Sequence, residues 1–368
     1  MSTLWDPLRI GDIDLAHRIV MAPLTRNRAG PGEVPTALMA RYYAQRGNPQ
    51  TGAALIISEA TQVCPEGQGY AYTPGLHTAQ QVAGWQQVTQ AVHAQGGRIV
   101  AQLWHVGRIS HTSLQPGGAS PVSSTARAAT TKTFISGGFA PCSPPRALLT
   151  HEMPGIVEHY RRSALNAREA GFDGVEIHAA NGYLIDQFLR DTINDRTDAY
   201  GGDFAGRSRL LVEVLQAVSQ AIGAGRTGVR LSPVTPSNDA APDTQVQALF
   251  DHVGAQLAPL RLAYVHVVEG QTGGARDVAP FDYERLRRLC GAPWMVNNGY
   301  TAQMALQAVQ EGHADMVAFG RPFIANPDLR RRIQEGASWN ILDTKTLYGG
   351  GESGYTDYPT LPEVAPRN

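Results

Sequence analysis

Lysine and cysteine are both scarce in this chain of 368 residues. Only two of its 31 basic residues are lysines, Lys132 and Lys345, and the pattern places both in loops. A Schiff-base aldolase needs a lysine at a strand end, so that class is disfavoured. The three cysteines, Cys64, Cys142 and Cys290, are scattered and form no CxxC pair. We therefore expect no metal site, and unpaired thiols favour a cytoplasmic location.

Long apolar runs and an excess of charge are also missing. No stretch of about 18 apolar residues occurs, so we expect no membrane-spanning helix. The opening stretch, MSTLWDPLRIGDID, lacks the basic and apolar regions of a secretion signal. A net charge of −1 argues against a nucleic-acid partner. With 42% hydrophobic residues the composition is globular, and we expect a single domain over 1–368.

Strand and helix patterns alternate along the chain, which predicts the α/β class. Eight strand candidates with helices between them match a (β/α)8 TIM barrel. The strands are predicted at Ile19–Thr25, Ala54–Thr61, Arg98–Val106, Gly174–Ile177, Thr227–Ser232, Leu262–Val268, Trp294–Asn297 and Met316–Gly320. The helices are predicted from Pro35, over Ala79–Ala94, His151–Ala170, Phe204–Ile222, Thr244–Gln256 and Ala302–Glu311, and from Pro327.

Two further features refine this interpretation. A small hairpin at Ile10–Leu15 would plug one end of the barrel, and the Gly-, Pro- and Ser-rich stretch 107–150 would leave the barrel and carry a hairpin or lid. A doubly wound sheet is the alternative fold. No GxGxxG follows an early strand, which counts against a dinucleotide-binding version of that fold.

The stretch 174–186, GVEIHAANGYLID, begins as a buried strand and ends in polar residues. His178 and Asn181 can each donate a hydrogen bond to one oxygen of a ligand, and Tyr183 adds a weakly acidic hydroxyl. Two donors and an acid suit a reaction that builds negative charge on oxygen and then needs a proton. The alternative is a loop network whose polar groups satisfy one another.

The last two strands end in Asn298-Gly299 and Gly320-Arg321. In barrels of this type the corresponding loops often bind phosphate through glycine amides, and an arginine can neutralise a dianion. The alternative is that Arg321 forms an ordinary surface ion pair.

Three other strands present residues that suit a planar heterocycle. Gln102 and Arg230 point polar groups into the barrel mouth, and Ala60 permits close approach of a ligand. The alternatives are a core amide for Gln102 and an ion pair with Glu176 for Arg230.

Seven motifs, in order, carry a resemblance to a known family. They are MAPLTR (21–26), IISEAT (56–61), QLWHVGR (102–108), HAANGYLIDQFL (178–189), NDRTDAYGG (194–202), AFGRPFIANPDL (318–329) and GYTDYP (354–359). The chain resembles the Old Yellow Enzyme family, and Thr25 and Trp104 are typical of its classical, N-ethylmaleimide reductase-like subgroup. The stretch 123–145 matches the family poorly.

The resemblance implies an NAD(P)H-dependent flavin oxidoreductase of the ene-reductase type. Such an enzyme binds FMN non-covalently, reduces it with NADPH or NADH and passes hydride to the β-carbon of an activated alkene. The small-molecule substrates would be enones, maleimides or nitro compounds, and the protein would be a monomer or a homodimer. The alternatives are a quinone or nitro reductase, or an FMN-binding sensor.

The resemblance also implies site residues. His178 and Asn181 would polarise the substrate oxygen, and Tyr183 would protonate the α-carbon. The implied cofactor contacts are Pro23, Leu24, Thr25, Ala60, Gln102, His178, Arg230, Asn298, Gly299, Gly320 and Arg321. The implied substrate contacts are His178, Asn181, Tyr183, Trp104, Tyr70 and Tyr355.

Overall fold

The structure of the protein is a computed structural model that describes residues 2–362. Its first half contains β1 (Leu8–Ile10), β2 (Ile13–Leu15), β3 (Ile19–Met21), α1 (Ala37–Ala44), β4 (Leu55–Ile57), β5 (Thr61–Gln62), α2 (Ala79–His93), β6 (Arg98–Trp104), β7 (Val122–Ser123), β8 (Lys132–Ile135), β9 (Gly138–Pro141), β10 (Arg146–Ala147) and α3 (Met153–Glu169). Its second half contains β11 (Gly174–Ala179), α4 (Leu184–Leu189), α5 (Phe204–Ile222), β12 (Thr227–Leu231), α6 (Val246–Leu257), β13 (Tyr264–Val268), α7 (Tyr283–Cys290), β14 (Trp294–Asn297), α8 (Ala302–Gln310), β15 (Met316–Phe319), α9 (Arg321–Ala325) and α10 (Leu329–Glu335).

Eight parallel strands close into a barrel. Going round the ring they are β3, β4, β6, β11, β12, β13, β14 and β15, and β15 returns to β3. The β6–β11 pairing places Gly174 opposite Val100 and Ile177 opposite Leu103. The predicted (β/α)8 TIM barrel is therefore confirmed, and the closed ring excludes the doubly wound alternative.

Alternating side chains divide the barrel interior from its surroundings. In β11, Val175 and Ile177 pack in the main core beneath the helices, whereas Glu176 and His178 point into the barrel, where both are buried. A strand has this two-residue period because successive side chains leave opposite faces. The strand therefore supplies packing on one face and chemistry on the other.

The hairpin of β1 and β2 closes the amino-terminal end of the barrel. Ile10, Ile13 and Leu15 pack in one cluster with Leu55 and Met295 from the strands. The backbone N–H of Asp12 donates to the Gly225 carbonyl at 2.9 Å, just before β12 begins. This confirms the predicted plug and leaves the carboxyl-terminal end as the open one.

Several element boundaries differ from the sequence-based expectations. The strand predicted over 54–61 is two strands, β4 and β5, separated by Ser58, Glu59 and Ala60. The first helix starts at Ala37 rather than Pro35, because the Thr36 hydroxyl caps it by accepting from the Met39 N–H. The last helix starts at Leu329 rather than Pro327, and the helices α4, α7 and α9 were not predicted.

The excursion after β6 carries an antiparallel hairpin, as predicted. In it β8 pairs with β9, and Phe134 lies opposite Phe139. The Ala71 N–H donates to the Phe134 carbonyl at 2.8 Å, which ties the hairpin to the segment after β5. The hairpin reaches the cavity described below through Phe134 and Phe139.

Two further expectations concern membranes and thiols. Within residues 2–362, no helix combines the length and apolar character needed to cross a bilayer. Cys64, Cys142 and Cys290 are all buried and unpaired.

Candidate active site

A cavity of about 640 Å³ lies at the carboxyl ends of the barrel strands. The structure brings together fifteen of the predicted site residues in its lining: Pro23, Leu24, Thr25, Ala60, Tyr70, Gln102, Trp104, His178, Asn181, Tyr183, Arg230, Asn298, Gly299, Gly320 and Arg321. Tyr355 is the one predicted residue that does not line it. Parallel strands bring their carboxyl ends to one rim, which explains why residues predicted from separate strand ends line one cavity.

Asn181 and Gly182 turn the chain from β11 into α4. Both have positive φ angles, +57° and +76°. A side chain at Gly182 would come within 2.5 Å of the Ser237 carbonyl oxygen, so glycine is required there. The Gly182 N–H donates to Asp186 and the Asn181 N–H to the Ser232 hydroxyl, each at 2.7 Å. These contacts fix the backbone from which the Asn181 side chain extends.

His178 and Asn181 both present donors to the cavity. The His178 Nδ1 accepts from the Ala180 N–H at 3.3 Å, which leaves the ring proton on Nε2. Burial lowers the pKa of His178 well below its usual value, and the charges of Arg230 and His266 act the same way, so the ring is neutral. The Asn181 Oδ1 accepts from the Thr272 hydroxyl at 2.8 Å, which leaves its NH2 group as the free donor.

Tyr183 stands beside these donors at the start of α4. Its ring meets those of His178 and Trp104 edge to face, at centroid distances of 5.1 Å and 4.9 Å. Its hydroxyl lies 3.1 Å from the Tyr70 hydroxyl. Burial raises the pKa of Tyr183 above its usual value, so the hydroxyl keeps its proton at neutral pH.

A charged network underlies the cavity. The Gln102 amide donates to Glu176 Oε1 at 2.8 Å, and His266 Nδ1 lies 2.8 Å from Glu176 Oε2. Burial would raise the pKa of Glu176, but His266 and Arg230 outweigh it and hold this pKa below its usual value. Since the amide nitrogen of Gln102 is used, its carbonyl oxygen is the group left for a ligand.

Arg230 does not pair directly with Glu176, contrary to one expectation. Its Nη2 donates to the Asn297 Oδ1 at 2.8 Å. Its Nε is buried and has no hydrogen-bond partner among the described residues. A buried guanidinium N–H without a partner is costly, so this donor is one that a ligand could satisfy.

The loops after β14 and β15 form the far end of the cavity. The side chain of Asn298 is engaged in structure, because its Oδ1 accepts from the Gly273 N–H and its Nδ2 donates to the carbonyls of Glu269 and Gln271. Gly299 has φ +66°, and a Cβ added there would meet no atom within 4 Å. The backbone at Gly299 is therefore open to a ligand, whereas Asn298 acts by shaping the loop.

Tyr355 was expected in the substrate pocket, and the structure shows that this was wrong. Its ring is fully buried and stacks on Tyr42 with centroids 4.1 Å apart, while the Arg28 guanidinium lies 4.3 Å from its centroid. The Gly354 carbonyl accepts from the Arg26 guanidinium at 2.8 Å, which turns this segment inward. Tyr348, seven positions earlier, lines the cavity instead.

The hairpin residues are the main part of the site that the sequence did not reveal. Lys132, Phe134 and Phe139 line the cavity. Lys132 was predicted in a loop, but it lies on β8 of the hairpin, which is not one of the barrel strands. The signal was the pair Gly137-Gly138 between two short runs that contain aromatic residues, which indicates a tight hairpin. Thr272, whose hydroxyl holds Asn181, had no distinguishing sequence signal.

One group of potential metal ligands lies outside the cavity lining. Ligand atoms of Cys64, Glu66 and His159 are within 4.8 Å of one another. Burial raises the pKa of the Cys64 thiol, which disfavours the thiolate that a metal ion would need. The absence of a metal site therefore stays a prediction.

Comparisons with known proteins agree with this geometry. The model of the NADH:flavin oxidoreductase / NADH oxidase family, whose cofactor is FMN, matches residues 3–340. The chain is 44% identical to 12-oxophytodienoate reductase 7 from Oryza sativa subsp. japonica, over all of this chain and 96% of the relative. It is also 44% identical to a chanoclavine-I aldehyde reductase from Penicillium roqueforti, over 97% of this chain and 96% of the relative.

Solved structures give the same result. Morphinone reductase in complex with tetrahydroNAD superposes with a TM-score of 0.92, 44% identity and complete coverage of both chains. An old yellow enzyme homologue from Zymomonas mobilis superposes with a TM-score of 0.92 and 41% identity, over 98% of this chain and all of the other. The similarity extends across the barrel and its loops.

Proposed function

The chain belongs to the NADH:flavin oxidoreductase / NADH oxidase family, which includes the Old Yellow Enzymes, and from this premise we propose that it reduces activated carbon–carbon double bonds. It is an oxidoreductase that binds FMN and takes electrons from NADH or NADPH. The substrates we propose are enones and maleimides, with nitro compounds as a further class. Three relatives are named as reductases of 12-oxophytodienoate, morphinone and chanoclavine-I aldehyde.

The cavity residues fit an FMN molecule. Arg230 has a buried Nε without a partner, and the Gln102 carbonyl oxygen is free to accept from a ring N–H. Thr25 and Ala60 would lie against the ring, while Arg321 and the backbone at Gly299 would hold the phosphate. Bound there, FMN supplies the hydride chemistry, accepting from the nicotinamide and donating to the substrate.

His178 and Asn181 would bind the substrate oxygen. The Nε2–H of His178 and the NH2 group of Asn181 are two donors that face the cavity, and neither has a hydrogen-bond partner among residues 2–362. When hydride adds to the β-carbon of an enone, negative charge develops on the conjugated oxygen. Two fixed donors stabilise that charge by about 3 kcal/mol.

Tyr183 would then supply a proton to the α-carbon. Its hydroxyl is protonated at neutral pH and stands beside both donors. A positioned general acid of this kind contributes about 10²- to 10⁴-fold to the rate. The observation that carries the proposal is this convergence of two N–H donors and one protonated tyrosine within a single cavity.

Anaerobic stopped-flow tests the proposal. The purified protein is mixed first with NADPH and then with 2-cyclohexenone while the visible flavin absorption is followed. We expect the band to bleach with NADPH and to return at a rate that depends on the enone concentration. Bleaching without return would contradict ene reduction, and the same experiment with a quinone or nitro compound would then identify the alternative oxidant.

We also propose a cytoplasmic location. The support is that all three cysteines are unpaired and buried, as expected in a reducing compartment. Thiol labelling of the denatured, unreduced protein should therefore find three free thiols. A lower number would indicate an oxidising compartment.

A further inference from the structure

Two tyrosine hydroxyls meet inside the cavity. Tyr70 lies between β5 and α2, and its hydroxyl oxygen is 3.1 Å from that of Tyr183. Its ring stacks on Trp104 with centroids 5.7 Å apart and planes 15° apart. Both tyrosines line the cavity, but only Tyr183 follows directly from the donor strand β11.

The segment that carries Tyr70 is held in place from both sides. The Tyr70 carbonyl accepts from the Thr73 hydroxyl at 2.8 Å. The next residue, Ala71, donates its N–H to the Phe134 carbonyl of the hairpin at 2.8 Å. With its ring packed on Trp104, the phenol has few alternative positions, so the contact with Tyr183 is built into the site.

The direction of this hydrogen bond follows from chemistry. A tyrosine that protonates carbon must aim its O–H at the substrate, so its oxygen can only accept from its neighbour. Burial raises the pKa of Tyr70 well above its usual value, so Tyr70 keeps its own proton and remains a donor. Tyr70 is therefore the donor and Tyr183 the acceptor when substrate is bound.

We propose that Tyr70 is a positioning residue for proton transfer, which holds the Tyr183 hydroxyl towards the substrate and stabilises the phenolate that forms on Tyr183. The inference rests on the proposed role of Tyr183 as the proton donor. A hydrogen bond to a charged oxygen is about twice as strong as one between neutral groups, so the contact strengthens as the proton leaves. This is differential stabilisation of the transition state, which raises the rate of the step.

The step balances in atoms and charge. The O–H bond of Tyr183 breaks, its electron pair stays on the oxygen, and the proton forms a C–H bond at the α-carbon. The substrate loses the negative charge it gained with the hydride, and Tyr183 carries that charge as phenolate. A water molecule entering through the cavity mouth restores the proton to Tyr183, while Tyr70 keeps its own throughout.

The test compares Tyr70→Phe and Tyr183→Phe with the double variant, using the FMN-loaded enzyme. Stopped-flow follows flavin reduction by NADPH and reoxidation by 2-cyclohexenone separately, across a range of pH. Tyr200→Phe is the matched control, because it removes a hydroxyl that donates to Glu213 at 2.9 Å outside the cavity. Thermal midpoints and FMN content establish that each variant is folded and loaded.

We expect Tyr70→Phe to slow reoxidation about tenfold, the usual effect of losing one charge-assisted hydrogen bond. Flavin reduction should be unchanged. The double variant should be reoxidised at the same rate as Tyr183→Phe alone. The tyrosinate absorption of Tyr183, identified by its loss in Tyr183→Phe, should titrate at higher pH in the Tyr70→Phe single variant than in the wild type. This last readout would not move if Tyr70 only supported the fold.

Two contrary outcomes are distinguishable. If Tyr183→Phe leaves reoxidation unchanged, Tyr183 is not the proton donor, and this inference is overturned with that role. If Tyr183→Phe slows reoxidation but Tyr70→Phe reoxidises at the wild-type rate, the inference about Tyr70 alone is wrong. The same holds if Tyr70→Phe slows reoxidation by the same factor in the wild type and in Tyr183→Phe.

Discussion

At the scale of single residues, hydrogen bonds to neighbouring protein groups set which atoms of His178 and Asn181 face the cavity. His178 donates through Nε2 because a backbone N–H occupies its Nδ1, and Asn181 donates through its amide because Thr272 occupies its oxygen. Neither orientation depends on a ligand. The donors are therefore preorganised, which is what a transition state with charge on oxygen requires.

The contribution of His178 can be measured by ligand binding. We expect His178→Ala to weaken binding of a para-substituted phenol about tenfold, because the phenol oxygen loses one of two donors. Titration of the flavin spectrum with the phenol measures the dissociation constant. The control is His313→Ala, whose side chain is exposed at 62% and lies outside the cavity. Equal affinities for His178→Ala and the wild type would show that the oxygen binds elsewhere.

Thr272 offers a second test of preorganisation. Thr272→Val keeps the shape but removes the hydroxyl that donates to Asn181 at 2.8 Å. The Asn181 amide then loses its fixed orientation, and we expect phenol affinity to fall about fivefold. Thr272→Ser retains the hydroxyl and should restore most of the affinity. If valine and serine behave alike, the hydroxyl does not orient Asn181.

At the scale of elements, the hairpin of β8 and β9 is a part of the cavity wall that lies outside the barrel strands. Phe139 is exposed at 64%, and its ring meets Phe134 edge to face at 5.4 Å. The hairpin is joined to the segment after β5 by the Ala71–Phe134 backbone bond. Its aromatic side chains stand over the cavity, where a substrate larger than the reacting alkene would extend.

This position predicts a change in substrate range rather than in chemistry. We expect Phe139→Ala to leave kcat/KM for 2-cyclohexenone within about twofold, while kcat/KM for a polycyclic enone falls about tenfold as apolar contact is lost. Because the side chain is mostly exposed, the free energy of unfolding should change by less than about 0.5 kcal/mol. Parallel losses for the small and the large substrate would contradict a role limited to the outer cavity.

The length of each element explains which helices and strands could be predicted from the sequence. The long helix α5 was predicted with the bounds that the structure shows, because its burial pattern is carried by 19 residues. The helices α4 and α9 have only six and five residues, too few for a helical period to be recognised. The hairpin was expected, but its contact with the cavity depends on a tertiary bond that no local pattern encodes.

At the scale of the whole molecule, barrel topology brings distant strand ends together, so most of the predicted residues line one cavity. The cavity lining could not be predicted where side-chain direction depends on long-range contacts. Tyr355 belongs to a matching motif, yet Arg26 and Tyr42 draw it into the core. Tyr348 lines the cavity from a segment without a motif of its own. Motifs thus located segments, and packing decides which residue of a segment faces the cavity.

Buried ionisable groups give the whole molecule a pH dependence. Burial lowers the pKa of His17 and of His105 to about 3, with Arg330 and His159 respectively acting in the same direction. These rings are neutral in the folded protein and take up protons on unfolding below pH 6.5. The unfolded state then binds more protons, so stability falls as the pH falls. Burial raises the pKa of Glu59 to about 7, which opposes this trend between its unfolded value of 4.5 and 7.

Replacing one of these histidines should flatten the pH dependence. Each lowers the free energy of unfolding by about 2 kcal/mol between pH 7 and pH 5, because its folded pKa lies far below its unfolded one. His17→Asn removes that titration and keeps an acceptor for the Ile19 N–H, which donates to His17 Nδ1 at 3.1 Å. We expect its urea midpoint to fall less than the wild-type midpoint over this range. Exposed His151→Asn, which removes no buried ring, should follow the wild type. Parallel curves for His17→Asn and the wild type would contradict this account, because they require His17 to bind the same number of protons in the folded and unfolded states over this range.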